Sequence, residues 1–226
     1  MSGAAAPAGG PEKAASQSSM VWSAVDACGV VAILRGAFLD RLDEIVEALV
    51  AGGVRAIEVS LTSPDPYAQI ARAVECAGAR ACIGAGTVLT QDDVRQSRES
   101  GAAFIVSPVV DAAVITAALQ HDMTPIPGAC TPTEALTASR LGAPAVKLFP
   151  GGALGPRFVK ALLVALPHLR LVPTGGVTLE LAGQFAEAGA WAVGVGSPLV
   201  STPIDPDQLE RRARAFVGAM RPSDVR

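Results

Sequence analysis

The stretch AVKLFPGG, Ala145–Gly152, decides how the chain is read. Its first six residues have the composition of a buried strand, yet a lysine stands in the middle of them. Neighbouring residues of a strand face opposite sides, so Val146 and Leu148 share one face and Lys147 takes the other. An ammonium in a low-dielectric interior is costly unless it is paired or gives up its proton. The reading that follows has helices packed on the Val146–Leu148 face and Lys147 pointing into an enclosed interior.

The same unit recurs on both sides of this stretch. Short runs rich in Val and Ile stand at VVAILRG (30–36), AIEVSLT (56–62), CIGAGTV (82–88), FIVSP (104–108), TPIPG (124–128), RLVPTGG (170–176) and AVGVGSP (192–198). With AVKLFP (145–150) they make eight candidate strands, about 20 to 26 residues apart, the spacing of a βα unit. The segments between them carry helix punctuation. DRLDEIVEALVAGG begins with acids and ends in glycine, TQDDVRQSRESG and TLELAGQFAEAG each begin with a capping Thr, and TPTEALTASRLG sets Pro132 near the first helical position. Eight strands alternating with helices predict an α/β fold of the (β/α)8 TIM-barrel type. An extra N-terminal helix is expected at about 18–28, and a last helix at about 206–220. An open doubly wound sheet would carry its glycine-rich turn after the first strand, whereas the glycine signals here fall late. Residues 1–19 are expected to form a disordered tail, and residues 20–226 a single barrel domain.

Half of the 226 residues are apolar, enough for a full core, and the formal net charge is −3. That charge argues against a nucleic-acid surface and a polybasic membrane patch, but a small anion needs only a local positive site. No apolar run reaches the roughly 18 residues of a membrane span. The tail lacks the apolar core of a signal peptide, so a cytoplasmic protein is expected. Cys28, Cys76, Cys82 and Cys130 form no CxxC pair and are expected as buried, reduced thiols. His121 and His168, the only histidines, read as surface residues, so neither a metal centre nor a Ser-His-Asp arrangement is expected, and no cofactor.

Two strands send ionisable groups inward. In AIEVSLT, Ile57, Val59 and Leu61 suit the layer between sheet and helices, which turns Glu58, Ser60 and Thr62 to the interior. Their strands are both even-numbered, so Glu58 and Lys147 are expected in one layer near the axis. The chain has three lysines, with Lys13 in the tail and Lys160 on a helix. Arg stays protonated, whereas a desolvated Lys can fall well below its reference value of about 10.4 and become a nucleophile. A structural Lys147–Glu58 ion pair is the alternative. After the last two strands, PTGGVT and GVGSPL bring Gly175, Gly176, Gly196 and Ser197 to loops that hold phosphate in many barrels. Plain turn glycines are the alternative there. An inward amine, an inward carboxylate and an anion site together suit Schiff-base chemistry, in which an iminium draws electrons from a breaking C–C bond while the carboxylate moves protons. An isomerase or epimerase, and a non-catalytic sugar-phosphate binder, are the other classes this fold permits.

VKLFPGGALGPRFVKAL around Lys147, GGVRAIEVSLTSP around Glu58, IGAGTVL (83–89) and LVPTGG resemble the class I 2-keto-3-deoxy-6-phosphogluconate (KDPG) aldolase family. That family includes the 2-keto-3-deoxy-6-phosphogalactonate aldolases, and the resemblance runs in order from Val21 to Val200. It implies that Lys147 is the Schiff-base lysine and Glu58 the proton shuttle. It further implies that Thr87 binds the pyruvyl carboxylate, that Pro108 and Phe149 line the pocket beside it, and that Gly175, Gly196 and Ser197 hold the 6-phosphate. The implied substrate is a small phosphorylated 2-keto acid cleaved to pyruvate and glyceraldehyde 3-phosphate, with 4-hydroxy-2-oxoglutarate as a further candidate, and the implied assembly is a homotrimer. Thr62 stands where many gluconate-type members carry an arginine, and Arg35 of AILRG is expected to supply that charge. SLTSP and AILRG have counterparts among galactonate-type enzymes, whereas Thr174 before the glycine pair is gluconate-type. The expectation leans to the gluconate, with the galactonate epimer as the alternative.

Overall fold

The structure, a computed structural model, describes residues 17–221. Of the expected tail, residues 1–16 lie outside the described residues and 17–19 are helical. Helix α1 (Gln17–Cys28) leads into strand β1 (Val30–Leu34). There follow α2 (Leu42–Ala51), β2 (Ala56–Ser60), α3 (Pro66–Ala77), β3 (Cys82–Gly86), α4 (Gln91–Glu99), β4 (Phe104–Val106), α5 (Ala112–Gln120), β5 (Thr124–Ile126) and β6 (Gly128–Ala129). The chain ends with α6 (Pro132–Arg140), β7 (Val146–Leu148), α7 (Gly151–Ala165), β8 (Leu171–Pro173), α8 (Leu179–Glu187), β9 (Val193–Val195) and α9 (Pro206–Met220).

Every strand pair is parallel. Six strands pair in the order β5-β4-β3-β2-β1-β9 and three in the order β6-β7-β8. A parallel bridge from Thr174 to Gly194 links the end of β8 to β9. The result is a curled sheet of parallel strands with helices outside. The expected strand 124–128 is not one strand. Pro127 has no N–H to give a ladder, so the run splits into β5, which pairs with β4, and β6, which pairs with β7. The Pro127 carbonyl still accepts from the Lys147 N–H at 2.9 Å. The other strands are also shorter than their apolar runs; their C-terminal residues leave the ladder and form loops at one end of the sheet.

Helix starts follow the punctuation. Thr90 Oγ1 accepts from the Asp93 N–H at 3.0 Å while the Asp93 carboxylate accepts from the Thr90 N–H at 2.9 Å, and Thr131 with Glu134 repeats this box. Such a cap contributes about 1 kcal/mol.

Apolar packing forms two clusters. Ile57, Val59, Val146 and Leu148 join the helix-covered layer, as alternation requires. Val31, Phe104, Val106, Ile126 and Val172 fill the inside of the curl, where Val21 and Val25 of α1 meet them. Helix α1 thereby closes the N-terminal end of the strands. Its Trp22 packs 4.7 Å from Trp191, and the Arg170 guanidinium lies 4.4 Å and 5.7 Å from the two ring centres. Trp191 Nε1 donates to Asp26 at 2.6 Å. The open end is the C-terminal one. Among the described residues no helix is long and apolar enough to cross a membrane. The four cysteines are free, but only Cys28 is buried. Cys76 and Cys82 are half-buried, and Cys130, in the loop after β6, is exposed. Both histidines are exposed.

Candidate active site

The stretch AVKLFPGG interlocks with LVPTGG. Gly151 N donates to Thr174 O at 2.6 Å and Gly152 N to Gly175 O at 2.8 Å. A Cβ on Gly151 would stand 2.6 Å from Thr174 N, and one on Gly152 2.7 Å from Gly176 O. Both neighbours are backbone and cannot step aside, so only glycine allows this approach. The contact fixes the start of α7 against the loop after β8. Lys147, at the centre of β7, is thereby set between β6 and β8.

Lys147 is 6% exposed, and its Nζ lies 5.3 Å from the centre of the Phe149 ring. It lines two spaces. One is a mouth of about 270 Å³ at the C-terminal end, bounded by Ile33, Arg35, Lys147, Phe149, Thr174, Gly175, Gly176, Gly194, Gly196 and Ser197, with Val177, Pro198 and Val200. The other is a gap of about 10 Å³ inside the curl, bounded by Val31, Glu58, Val106, Ile126, Lys147, Val172, Thr174 and Gly194. A larger cavity of about 700 Å³ lies at the closed end, between α1 and the turns before β3 and β4. It touches neither Lys147 nor Glu58.

Glu58 is 2% exposed and rests on Gly86, where a Cβ would fall 1.8 Å from its Oε1. The ion pairs among the described residues are all Arg–carboxylate pairs with partly exposed side chains, so Glu58 and Lys147 share a cavity without forming a salt bridge. Burial pushes the Glu58 carboxyl above its ordinary value; the charges of Lys147 and Arg35 pull it back, and burial wins. An acid raised toward neutrality can both give and take a proton. The folded chain therefore keeps this proton at pH values where the unfolded chain has lost it. Its favourable contribution is full below the ordinary carboxyl range and is lost as pH rises through the folded value. Glu58→Gln is expected to raise the melting temperature more at about pH 8 than at about pH 4. An equal change at both pH values would show that the carboxyl is not held high.

Arg35 is exposed at the end of β1, and its loop is tied down by two side chains the sequence reading did not single out. Gly36 N donates to Ser63 Oγ at 3.0 Å, and the buried Gln69 of α3 donates from Nε2 to Gly36 O at 3.0 Å and Pro64 O at 2.7 Å. The only signal for Gln69 was an amide one turn before Ala73 and two before Ala77, on the buried face of α3. Thr62 is exposed. Thr87 is half-buried in a left-handed conformation, φ 61°, with its hydroxyl 3.1 Å from Ser60 Oγ. Neither Thr87 nor Pro108 lines the two spaces around Lys147; the Pro108 carbonyl instead packs on Gly128. Thr174 donates from Oγ1 to Val172 O at 3.0 Å and packs on Gly194. Among the described residues no group of His, Cys, Asp and Glu is placed to hold a metal ion.

These features define an α/β protein with two buried ionisable groups, Lys147 and Glu58, inside a curled parallel sheet that opens at the C-terminal ends of its strands. The family model described as KDPG and KHG aldolase matches residues 21–214. The chain belongs to that aldolase family, and its chemistry is that of a carbon–carbon lyase. It is 39% identical over 193 residues to the 2-dehydro-3-deoxy-6-phosphogalactonate aldolase of Escherichia coli strain K12, covering 85% of this chain and 94% of that one. It is 33% identical over 196 residues to the 2-dehydro-3-deoxy-phosphogluconate aldolase of Treponema pallidum, covering 80% and 91%. A solved structure named "Native KDPGal structure" superposes with a TM-score of 0.82 at 38% identity, covering 85% of this chain and 94% of that one.

Proposed function

We propose that the protein is a Schiff-base aldolase that cleaves 2-keto-3-deoxy-6-phosphogalactonate to pyruvate and glyceraldehyde 3-phosphate. The observation that carries the reading is that Lys147 and Glu58 line one interior gap without pairing to each other. Lys147 Nζ attacks the C2 carbonyl, and proton transfer through Glu58 lets the carbinolamine lose water to an iminium. Removal of the C4 hydroxyl proton breaks the C3–C4 bond, whose electron pair moves into the iminium and leaves an enamine. The aldehyde phosphate departs, C3 takes a proton, and water releases pyruvate from the lysine.

The substrate carries two charged ends. Thr87 takes the carboxylate from outside the two spaces that Lys147 lines, and Arg35, which borders the same mouth as the phosphate glycines, supplies the positive charge. Gly175, Gly176, Gly196 and Ser197 take the phosphate, supported by the left-handed glycines 175 and 176, φ 87° and 71°, at the mouth. The same proposal closes the sheet into a full (β/α)8 ring, supported by the Thr174–Gly194 bridge on one side and the run of chain through Pro127 on the other. A single domain, a cytoplasmic location and a homotrimer belong to it as well.

The sequence reading leaned to the gluconate epimer. The galactonate is favoured because the relative named for it is the more similar, 39% against 33%, and because the superposed structure carries its name. Thr174 supports the gluconate as the second reading, since the residue borders the mouth, where one contact to a substrate hydroxyl can decide preference. Pyruvate release from the two purified epimers tests this. The galactonate is expected to have the higher kcat/KM by at least about tenfold. A higher value for the gluconate would replace the first reading with the second. Cleavage of neither epimer, nor of 4-hydroxy-2-oxoglutarate, would remove both.

A further inference from the structure

We infer that Ser60 is a positioning residue, a buried hydroxyl that sets the direction in which the Thr87 hydroxyl donates. The inference rests on the proposal that Thr87 holds the substrate carboxylate.

Ser60 ends β2, on the same face as Glu58, opposite Gly86 in register, and is fully buried. Its Oγ lies 2.8 Å from Thr62 Oγ1 and 3.1 Å from Thr87 Oγ1, and it accepts from the Thr62 N–H at 3.4 Å. The three hydroxyls form a chain with Ser60 in the middle. Thr87 needs such an anchor, because a β-branched residue at φ 61° sits in a region that side chains of its type avoid.

Proton accounting gives the chain a direction. Each hydroxyl owns one proton. Two of the three protons lie between neighbours, and the third leaves from one end. A carboxylate accepts only, so binding at Thr87 requires that the third proton leave there. The order is then Thr62 to Ser60, Ser60 to Thr87, and Thr87 to the anion. The hydroxyl of Thr62 thus acts on the substrate end through Ser60. Without Ser60 the Thr87 hydroxyl loses both its donor and its fixed rotamer.

Borohydride trapping of pyruvate, followed as adduct against pyruvate concentration, reads this out. In Ser60→Ala the half-saturating pyruvate concentration is expected to rise about tenfold, with the plateau of trapped protein unchanged. Thr62→Val, at an exposed position where folding is not at risk, is expected to raise it about threefold. In the condensation direction the KM for glyceraldehyde 3-phosphate should stay at the wild-type value in both. Wild-type half-saturation in Thr62→Val together with Ser60→Ala, or in Thr62→Val alone if Ser60→Ala does not fold, overturns the inference. So does an equal rise in both KM values, which marks general damage to the site. Failure of the wild-type protein to trap pyruvate is a different result: it overturns the Schiff-base reading, and the inference with it.

Discussion

Replacing Lys147 with Arg is expected to lower aldol cleavage by on the order of 10⁴-fold or more, because the residue proposed as nucleophile is lost while a positive charge is kept. The fold should survive. Lys147 borders the mouth of about 270 Å³, which has room for the larger guanidinium, and its backbone bond to Pro127 does not depend on the side chain. Circular dichroism should therefore match the wild type. With pyruvate and borohydride, the wild-type protein should gain a stable adduct that maps by mass to the peptide carrying Lys147, and the variant should gain none. A variant that still cleaves at a rate near the wild type would end the Schiff-base proposal, whatever the fate of the other residues.

The second large effect is expected at a residue with no chemistry of its own. In Gly86→Ala the new methyl would fall 1.8 Å from Glu58 Oε1 and 2.4 Å from its Cδ. The obstacle is a side chain, so it yields, but it has to move the acid by about an ångström or more. A displacement of that size costs about 10²-fold in rate when the moved group takes part in the chemistry. Turnover should fall by that factor while trapping of pyruvate remains detectable. Thermal stability should fall too, and it should recover in Gly86→Ala/Glu58→Ala, where the methyl has space. Turnover at the wild-type level in Gly86→Ala would mean that the acid's position beside Lys147 is immaterial.

What could be read from the letters follows from range. Strand alternation has a period of two, so the inward turn of Glu58 and Lys147 was legible from six or seven residues at a time, and both packing clusters agree with it. Helix starts at Thr90 and Thr131 were legible for the same reason, since a capping box spans four residues. The split at Pro127 could have been read from the missing N–H, but the apolar composition of TPIPG outweighed it. Contacts between distant loops left no local trace. Ser60 meets Thr87 and Gly36 meets Ser63, each across 27 positions, and Gln69 meets Gly36 across 33. No window of the sequence contains both partners. The glycine pair at 151–152 shows the same limit in another form. Its reason is the backbone of a second loop, more than twenty residues away, pressed against it. The substrate leaning rests on a different kind of signal. Thr174 pulled toward one epimer, while similarity summed over the whole chain points to the other.

The paired indole rings beneath the sheet have a practical consequence. The chain contains two tryptophans, Trp22 and Trp191, and both sit at the end remote from Lys147, around one guanidinium. Its intrinsic emission is therefore a gauge of whether the first helix is seated. A titration with sugar phosphate followed by that light would watch the floor of the molecule, not the doorway.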